Sequence, residues 1–559
     1  MISSRKRTLR RGCRVLSALL LVFAALLLAS QPGSGQPLRD ATPVHHLTVL
    51  HTNDHHGHPL KFTSEFGRDL GGLPARAALV RQIRETRRNV LLLDAGDLNT
   101  GRAESNLFKA KPDIEGYNTI GYDAMTIGNH EFDRPLGVLK QQMAFARFPF
   151  LSANILTKEG HHLGLPYIVK SFPGFRVAIL GLTLKETPTI TNPGHVKDLV
   201  FQDEVDAARM LVPRLRKEAD LVIALTHLGI FESSRMGSKR LAAEVSGIDL
   251  IVDGHSHTRI DSPLKVSNPD SGQTTLIVQA WKWGLLVGHL DLRLEKGGIR
   301  DFRYRNIPVS PGTLEKLGLK EDRALLHLLD PYAKEAEARL SEMIGFAEAP
   351  FRAAETRKSG TALGNLVADS LKWYGRTWNV DFALQNGGGI RADIPAGPIT
   401  AKTVHDAIPF ENSVVILTLK GSDVKRLFDF MAAIPEGSGA FPHVSGGMSL
   451  TLNRAARKCE RALINGEPLD LKRTYRVATH SYLAAGGDGY RIFREACERY
   501  DAAVFQQDVL IDYIKTLGGR LTPERQERIT YTSGQGSALR PRLAACSCRI
   551  MEWTRSVRG

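Results

Sequence analysis

The most informative segment of the chain is Leu47-Thr-Val-Leu-His-Thr-Asn-Asp54-His-His56-Gly-His58, an apolar run that stops abruptly at a carboxylate followed by imidazoles. A run of aliphatic and β-branched residues predicts a buried strand. In α/β sheets, ligands bind outside the carboxyl ends of the strands. A strand that ends in Asp54 and His56 therefore offers a carboxylate oxygen and a ring nitrogen to a common point.

The same pattern recurs along the first half of the chain, where apolar runs alternate with helical segments as in an α/β domain. Four further runs end in Asp97, in Asn129 with His130 and Asp133, in His227, and in His255 with His257. Carboxylate, carboxamide and imidazole groups without a thiol suit borderline divalent ions such as Zn²⁺, Mn²⁺ or Co²⁺. The sequence therefore predicts a metal centre at the strand ends.

The size of this set favours two ions over one. The candidate ligands are too many for a single ion and fit two ions that share a carboxylate. Two ions about 3.5–4 Å apart can clamp the attacking and leaving oxygens of a phosphoryl displacement and lower the pKa of a bound water. This pattern indicates metal-assisted hydrolysis of a phosphate ester.

The N-terminus predicts export. Residues 1–30 combine a basic segment that contains no acid with an apolar run from Leu16 to Ala29, and small residues follow. This composition is typical of a signal peptide and too short for a transmembrane span. We therefore expect a periplasmic or extracellular protein with no membrane span after signal removal. The length of 559 residues predicts two or three domains.

Charge and cysteine content exclude other classes of protein. The formal net charge is +15, but much of it lies in the signal segment and in a basic tail at 533–559, where five arginines face one glutamate. The modest remainder does not indicate a protein that binds nucleic-acid polymers. Five cysteines are too few for a disulfide scaffold. Cys459 and Cys497 could pair or remain free thiols, and the tail is predicted to be disordered.

A second α/β pattern begins at about residue 346, after a helical stretch at 320–345 that we interpret as an interdomain helix interrupted early by Pro331. Its polar blocks are Val380–Arg391, Ile408–Asn412 and His480–Tyr490. The first block contains Gly-Gly-Gly-Ile-Arg391, in which glycines allow close backbone approach and the arginine offers a bidentate fork to phosphate. On its own, however, this block is more typical of a flexible turn than of a phosphate site.

The blocks together resemble a known family. His51-Thr-Asn-Asp-His-His-Gly57, Gly96-Asp97, Gly128-Asn-His-Glu-Phe-Asp133, Thr226-His227 and Gly254-His-Ser-His257 are similar to the calcineurin-like metallophosphatases. More narrowly, the chain resembles the secreted 5′-nucleotidases and periplasmic UDP-sugar hydrolases over about 45–532. The resemblance implies a four-layer αββα metallophosphatase sandwich at 45–312. It also implies a C-terminal α/β nucleotide-specificity domain at 346–532.

The resemblance also implies the roles of individual residues. One metal ion would be held by Asp54, His56, Asp97 and His257, and the other by Asp97, Asn129, His227 and His255. His130, oriented by Asp133, would stabilise the transition state or protonate the leaving oxygen. One departure is His257, where the bacterial enzymes of the family carry glutamine and the wider superfamily carries histidine.

In the second domain, the resemblance implies a nucleotide pocket. Phe410 and Tyr482 would sandwich the base, and stacking of this kind is worth about 1–3 kcal/mol per base. Asp488 would bind the ribose hydroxyls, Asn386 and Asn412 would line the base pocket, and Arg357 and Arg391 would contact phosphate. The family typically carries phenylalanine at the position of Tyr482, so the hydroxyl group there is a departure.

The predicted activity is hydrolysis of nucleoside 5′-phosphates by in-line attack of metal-bound water, with UDP-sugars as further candidate substrates. The main alternative is a 2′,3′-cyclic-nucleotide 2′-phosphodiesterase and 3′-nucleotidase with the same metal centre. The sulfur-oxidation hydrolases of the superfamily are a second alternative, disfavoured by the aromatic pair. A non-catalytic nucleotide-binding or adhesion protein is disfavoured by the complete ligand set.

Overall fold

The structure is a computed structural model that describes residues 44–64, 66–191, 193–231, 237–295, 298–524 and 526–532. The predicted signal peptide and the basic tail lie outside the described residues.

Two six-stranded mixed sheets form the first half of the chain. In spatial order the strands of the first sheet are Gly298–Pro308, Leu286–Glu295, His45–Thr52, Val90–Asp94, Ala124–Thr126 and Phe150–Leu151. Those of the second sheet are Leu264–Ser267, Thr274–Val278, Leu250–Val252, Leu221–His227, Phe175–Thr183 and Tyr167–Phe172. The central strands of both sheets run parallel, so their carboxyl ends lie along one edge.

The two sheets pack face to face. Their shared core contains Val49 and Leu91 from the first sheet and Ile179 and Leu225 from the second. Helices cover the outer faces: Leu73–Thr86, Lys111–Ile120 and Leu136–Phe145 pack on the first sheet, and Glu204–Glu218 and Gly237–Glu244 on the second. The predicted four-layer αββα sandwich is confirmed, because strands that are apolar on both sides need cover on both faces.

Smaller elements fill the loops of this first half. Two antiparallel strand pairs are formed by Phe62–Ser64 with Gly67–Leu70 and by Ile155–Thr157 with Leu199–Phe201. The short helices are Ala103–Asn106, His130–Phe132, Thr187–Ile190, Pro193–Val196 and Pro311–Lys316.

The second half is a separate α/β unit, so the predicted two-domain α/β architecture is also confirmed. Its central sheet contains Pro442–Val444, Phe382–Asn386, Thr474–His480, Ser413–Lys420 and Glu498–Phe505. Two flanking sheets contain Gly397–Thr400, Met343–Ala347 and Arg520–Leu521, and Glu467–Pro468, Lys458–Ile464, Met448–Asn453 and Ile529–Thr532. The helices are Ala362–Tyr374, Gly375–Trp378, Gly387–Gly389, Ala401–Ala407, Gly421–Ala433, Ser481–Ala484, Gly487–Gly489, Arg491–Glu495 and Gln506–Thr516.

One helix, Arg323–Leu340, connects the two units along the chain. Asp322 caps it by accepting the N–H group of Leu325 at 3.0 Å, and Leu325 and Leu329 pack into the first core. The predicted interruption at Pro331 is absent, and the helix continues through it. Proline removes one backbone bond to the carbonyl of His327, and both residues are exposed, so water can satisfy that carbonyl.

The two units meet through a buried polar contact beside the site. Asp406 accepts the backbone N–H group of Ala103 at 3.0 Å, and Lys402 pairs with Glu104 at 3.1 Å. Asn106 donates to the carbonyl of Pro409 at 3.1 Å. These bonds fix the second unit against the loop that follows Asp97.

Two further sequence questions concern thiols and membranes. Cys459 is buried and Cys497 is exposed, and both are free thiols, so the bridge left open by the sequence is not formed. Within the described part of the chain, every helix is too short or too polar to span a bilayer.

Candidate functional site

The seven predicted metal ligands lie together at the carboxyl-end edge of the sandwich. The first sheet supplies Asp54, His56, Asp97 and Asn129, and the second supplies His227, His255 and His257. Each residue ends a strand or follows one within a few positions. Because the sheets pack face to face with their central strands ending at the same edge, residues up to two hundred positions apart in sequence become neighbours.

The first group consists of Asp54, His56 and His257. Nε2 of His257 lies 3.3 Å from Oδ1 of Asp54 and 3.0 Å from Nε2 of His56. The donor atoms of the three residues all lie within 4.8 Å of one another. This spacing allows them to surround one cation.

The second group consists of Asp97, Asn129, His227 and His255. Nε2 of His227 lies 3.0 Å from Oδ2 of Asp97 and 3.2 Å from Oδ1 of Asn129, which in turn lies 2.9 Å from Nδ1 of His255. Oδ2 of Asp97 is also 3.8 Å from Nε2 of His56. Asp97 thus stands between the groups, and the donor set fits two borderline divalent ions that share this carboxylate.

Two rings are oriented from behind by backbone carbonyls. Nδ1 of His227 donates to the carbonyl of Ala95 at 2.7 Å, and Nδ1 of His56 donates to that of Asn99 at 3.2 Å. With Nδ1 protonated, the lone pair of Nε2 faces the site, which is the tautomer that a metal ligand requires.

Five ligands occupy the left-handed backbone region. The φ angles of Asp54, His56, Asp97, His255 and His257 are 50°, 46°, 58°, 76° and 51°. Non-glycine residues rarely adopt this conformation, which costs of order 1–3 kcal/mol each and clusters at functional sites. Glycine is also required nearby: a Cβ atom on Gly254 would lie 2.8 Å from Nδ1 of His227.

Burial and neighbouring charges shift the pKa values of the cluster. Burial raises the pKa of Asp54 to about 6 and lowers that of His255 to about 3. Burial opposes the charging of Asp97, but His227 and His130 hold the pKa of Asp97 well below its usual range. For His227, burial is outweighed by Asp97, and the pKa rises to about 10. His227 and Asp97 therefore share a proton in the absence of metal. A bound cation would replace that proton, because metal ligands must be deprotonated.

His130 and Asp133 form a hydrogen-bonded pair beside this cluster. Nδ1 of His130 donates to Oδ2 of Asp133 at 2.7 Å, and Nε2 lies 4.0 Å from Oδ2 of Asp97. Burial alone would lower the pKa of His130, but Asp133 and Asp97 raise it above its ordinary value. A charged imidazole here can stabilise negative charge or donate a proton.

Glu131 is a buried carboxylate whose role the sequence analysis missed. Its two oxygens accept four backbone N–H groups, from Asp97 at 3.0 Å, Leu98 at 2.9 Å, Asn99 at 3.2 Å and Gly128 at 2.7 Å. These groups belong to the two loops that carry Asp97 and Asn129. Glu131 therefore ties both ligand loops to each other. Its position between His130 and Asp133 is the one signal that the sequence offered.

We expect Glu131→Gln to weaken metal binding by roughly 10–100-fold, the range typical of outer-shell partners of metal ligands. The amide replaces one acceptor oxygen with an N–H₂ group that faces backbone donors, so the loops must separate. Isothermal titration of the metal-free protein with Mn²⁺ measures the effect.

Asp249→Asn is the matched control, because Asp249 is a buried carboxylate that accepts the backbone N–H group of Val222 at 2.8 Å, near the amino end of a strand. Equal metal affinity in Glu131→Gln and the wild type would contradict the role of Glu131.

The cluster opens into a cavity of about 660 Å³ between the two units. From the first unit it is lined by Asp97, Asn129, His130, Asp133, His255 and His257. From the second it is lined by all seven predicted substrate residues, Arg357, Asn386, Arg391, Phe410, Asn412, Tyr482 and Asp488. Asp54, His56 and His227 are buried beneath its floor.

The cavity has an excess of positive charge on the side of the second unit. A terminal nitrogen of Arg391 lies 3.2 Å from Nε2 of His56, which places the guanidinium directly over the metal ligands. Burial, then the nearby Arg357, lowers the pKa of Arg391 to about 10. Among the described residues, neither arginine has a carboxylate within ion-pair distance. Two unpaired guanidinium groups in one cavity favour an anionic ligand.

Phe410 and Tyr482 both line the cavity. The ring of Phe410 lies 5.7 Å from that of His130, and the Arg391 guanidinium is 5.7 Å from its centroid. The Tyr482 hydroxyl donates to Oδ1 of Asp488 at 2.7 Å. Phe410 therefore lies beside His130 and Arg391, and the hydroxyl of Tyr482 is held against Asp488.

Comparison with known proteins gives two family matches. Residues 47–259 match the calcineurin-like phosphoesterase family, and residues 343–495 match the 5′-nucleotidase C-terminal domain. The first match spans the strand ends that carry all seven candidate ligands. The second includes the cavity-lining residues from Arg357 to Asp488.

Individual relatives match along most of the chain. Protein UshA of Yersinia enterocolitica is 35% identical over 84% of this chain and 90% of its own length. A 5′-nucleotidase of Vibrio cholerae is 34% identical over 88% of this chain and 95% of its own. The crystal structure of a 5′-nucleotidase precursor from Thermus thermophilus superposes with a TM-score of 0.79 at 32% identity and covers 87% of this chain and 99% of its own.

Proposed function

Since the chain belongs to the 5′-nucleotidase family with a calcineurin-like phosphoesterase domain, and is therefore a phosphoric ester hydrolase that acts on nucleotides, we propose that it is an exported dinuclear-metal 5′-nucleotidase. Its substrates would be nucleoside 5′-phosphates, with UDP-sugars as further candidates. The named relatives support the 5′-nucleotide class, since two of those compared are called 5′-nucleotidases.

One observation carries this proposal: a single cavity brings the metal-ligand cluster, two unpaired arginines and the aromatic and acidic groups of the second unit together. A nucleoside 5′-phosphate carries groups that match these side chains. It has an anionic phosphate at one end, a sugar with two hydroxyl groups in the middle and a flat base at the other end. The volume of about 660 Å³ is in the range of small-molecule sites.

The phosphate would bind where Arg357 and Arg391 face the ligand cluster. Bidentate guanidinium groups fix the orientation of a phosphate and offset the charge that develops as the ester breaks. His130, held by Asp133, faces the same space and, when protonated, would give a proton to the departing 5′-oxygen or stabilise its charge.

The nucleoside would extend into the second unit. Phe410 and Tyr482 offer aromatic faces to the base, and Asn386 and Asn412 line the same region. Asp488 presents a carboxylate that can accept hydrogen bonds from sugar hydroxyls.

Asp54, His56, Asp97 and His257 would hold one divalent ion, and Asp97, Asn129, His227 and His255 the other. Zn²⁺, Mn²⁺ and Co²⁺ are the candidates. Such ions supply Lewis-acid polarisation of the phosphate and activation of water at neutral pH.

The test is phosphate release by the purified protein after metal removal. AMP and UDP-glucose are offered separately, and Zn²⁺, Mn²⁺, Co²⁺ or Mg²⁺ is added back. For UDP-glucose the UMP product is measured as well, since its first cleavage frees no phosphate. We expect no turnover by the stripped protein and restored hydrolysis of AMP after metal addition.

The outcome on other substrates separates the alternatives. Hydrolysis of 2′,3′-cyclic AMP with little turnover of AMP would replace the proposal with the cyclic-nucleotide activity. Failure of every nucleotide with every metal would contradict the hydrolase site itself.

Export is supported by the basic and apolar composition of residues 1–30. We propose that this segment is removed on secretion. Mass spectrometry of the mature N-terminus measures this, and an intact Met1 in the secreted protein would contradict it.

A further inference from the structure

Tyr482 carries a hydroxyl group that the stacking of a base does not need. In the structure this hydroxyl points away from the aromatic face and forms two bonds with one residue. It donates to Oδ1 of Asp488 at 2.7 Å and accepts the backbone N–H group of Asp488 at 3.0 Å. The tyrosine therefore closes a small ring of hydrogen bonds around this carboxylate.

Asp488 is held from its other side as well. Nδ2 of Asn386 donates to Oδ2 of Asp488 at 2.8 Å. The orientation of that amide is set by His480, whose Nε2 donates to Oδ1 of Asn386 at 2.9 Å. Each oxygen of Asp488 thus has one protein donor, and an ionised carboxylate has about four lone-pair sites to offer. The remaining sites face the cavity that Asp488 lines.

Asp488 has a φ angle of 52°, in the left-handed region, and Gly489 follows at 83°. The ring of Tyr482 is held by packing on two neighbours. It stacks at 9° to the ring of His480, and it lies so close to Gly487 that a Cβ atom there would collide with it. Burial, then Asp488, raises the pKa of the Tyr482 hydroxyl well above its usual range, so it remains a donor at alkaline pH.

We propose that the Tyr482 hydroxyl is a specificity determinant: by fixing the Asp488 carboxylate opposite Asn386, it makes the cavity select sugars with two adjacent free hydroxyl groups over 2′-deoxy sugars. This inference rests on the proposed function, in which Asp488 meets the sugar. A fixed carboxylate can accept both hydroxyls of a ribose at the same time. A carboxylate held by Asn386 alone can turn toward a single hydroxyl of either sugar, and the discrimination is lost.

The experiment measures KM and kcat for AMP and 2′-deoxy-AMP with the metal-loaded enzyme. In Tyr482→Phe, which keeps the ring, we expect the ratio of kcat/KM between AMP and 2′-deoxy-AMP to fall by about tenfold, the effect expected for a hydrogen bond to a charged group. The change should appear in KM for AMP, while kcat stays close to that of the wild type. Affinities for adenosine and 2′-deoxyadenosine, measured by calorimetry, provide a readout without turnover.

Tyr490→Phe is the matched control. Its hydroxyl donates to the carbonyl of Ala440 at 2.7 Å, so the substitution also removes a buried tyrosine bond two residues from Asp488. It should leave the ratio unchanged, which separates selection of the sugar from a general loss of packing. Thermal unfolding of both variants verifies that the fold is intact.

Three outcomes would overturn the inference in distinguishable ways. An unchanged ratio in Tyr482→Phe, together with a lower ratio in Asp488→Asn, would remove the role of the hydroxyl and leave the proposed function standing. An unchanged ratio in both variants would also remove Asp488 from sugar recognition. A wild-type enzyme that cleaves neither nucleotide would overturn the proposed function and this inference together.

Discussion

Asp97→Ala is expected to lower the turnover of AMP by roughly 10³-fold or more at saturating metal, because the charge stabilisation that divalent ions supply is worth several kcal/mol. Among the residues that the structure describes, Asp97 is the one carboxylate within 4 Å of ring nitrogens in both ligand groups, His56 and His227. Without it neither group is complete. Metal content per chain, measured by plasma emission spectroscopy beside phosphate release, should fall in parallel.

Two further variants separate the charge of Asp97 from its backbone. Asp97 has a φ angle of 58°, where alanine is strained by about 1–2 kcal/mol and asparagine is tolerated. Asp97→Asn should therefore fold as the wild type does and still lose activity. Asp261→Ala removes an exposed carboxylate four positions after His257 and should change nothing. Wild-type rates in Asp97→Asn would exclude a bridging carboxylate at this position.

His130→Gln is expected to lower kcat for AMP by about 10²–10⁴-fold, the range for loss of a positioned proton donor. If His130 protonates the leaving oxygen, the loss should shrink sharply with p-nitrophenyl phosphate, whose leaving group needs no proton. Asp133→Asn keeps the ring but weakens its orientation, so it should cost about tenfold. Steady-state kinetics with both substrates measure the three effects.

The control for His130 is another histidine–aspartate pair in the same domain. Nε2 of His289 lies 3.1 Å from Oδ1 of Asp291 on strand Leu286–Glu295, outside the residues that line the cavity. His289→Gln should leave both rates unchanged. Equal losses on AMP and p-nitrophenyl phosphate in His130→Gln would indicate stabilisation of phosphate charge instead of proton transfer to the leaving group.

The metal cluster could be predicted from sequence because its signal is local. Each ligand sits where a fully apolar run stops, as in Leu221–His227, which is buried along its whole length and ends in a histidine. A parallel strand buried on both faces reads as a continuous apolar segment. The convergence of such strand ends at one edge then follows from the α/β pattern.

Other features were not predictable because they depend on tertiary packing. The only sequence signal for Glu131 is its position between His130 and Asp133, and its four backbone bonds arise only when two loops meet. Arg391 contacts His56 across the boundary between the units. The two residues are far apart in sequence, and no sequence motif links them. The hydroxyl of Tyr482 was visible as a departure from phenylalanine, and Asp488 was itself predicted, but the hydrogen bond between them was not. Pro331 predicted a break in the helix, but the helix continues through it. The carbonyl that proline leaves without a backbone partner belongs to an exposed residue, so water can satisfy it.

The left-handed backbone of five ligands limits how this centre can change by mutation. Outside glycine, the residue types that tolerate this conformation best are asparagine, aspartate and histidine. These are also the side chains that coordinate borderline divalent ions. Substitutions among the three would keep the backbone conformation of the loops while they change the charge and softness of the ligands. They are therefore the neighbourhood of substitutions through which metal preference can change. A library restricted to these residues at Asp54, His56, Asp97, His255 and His257 would sample that neighbourhood without the backbone strain that other residue types incur at these φ angles.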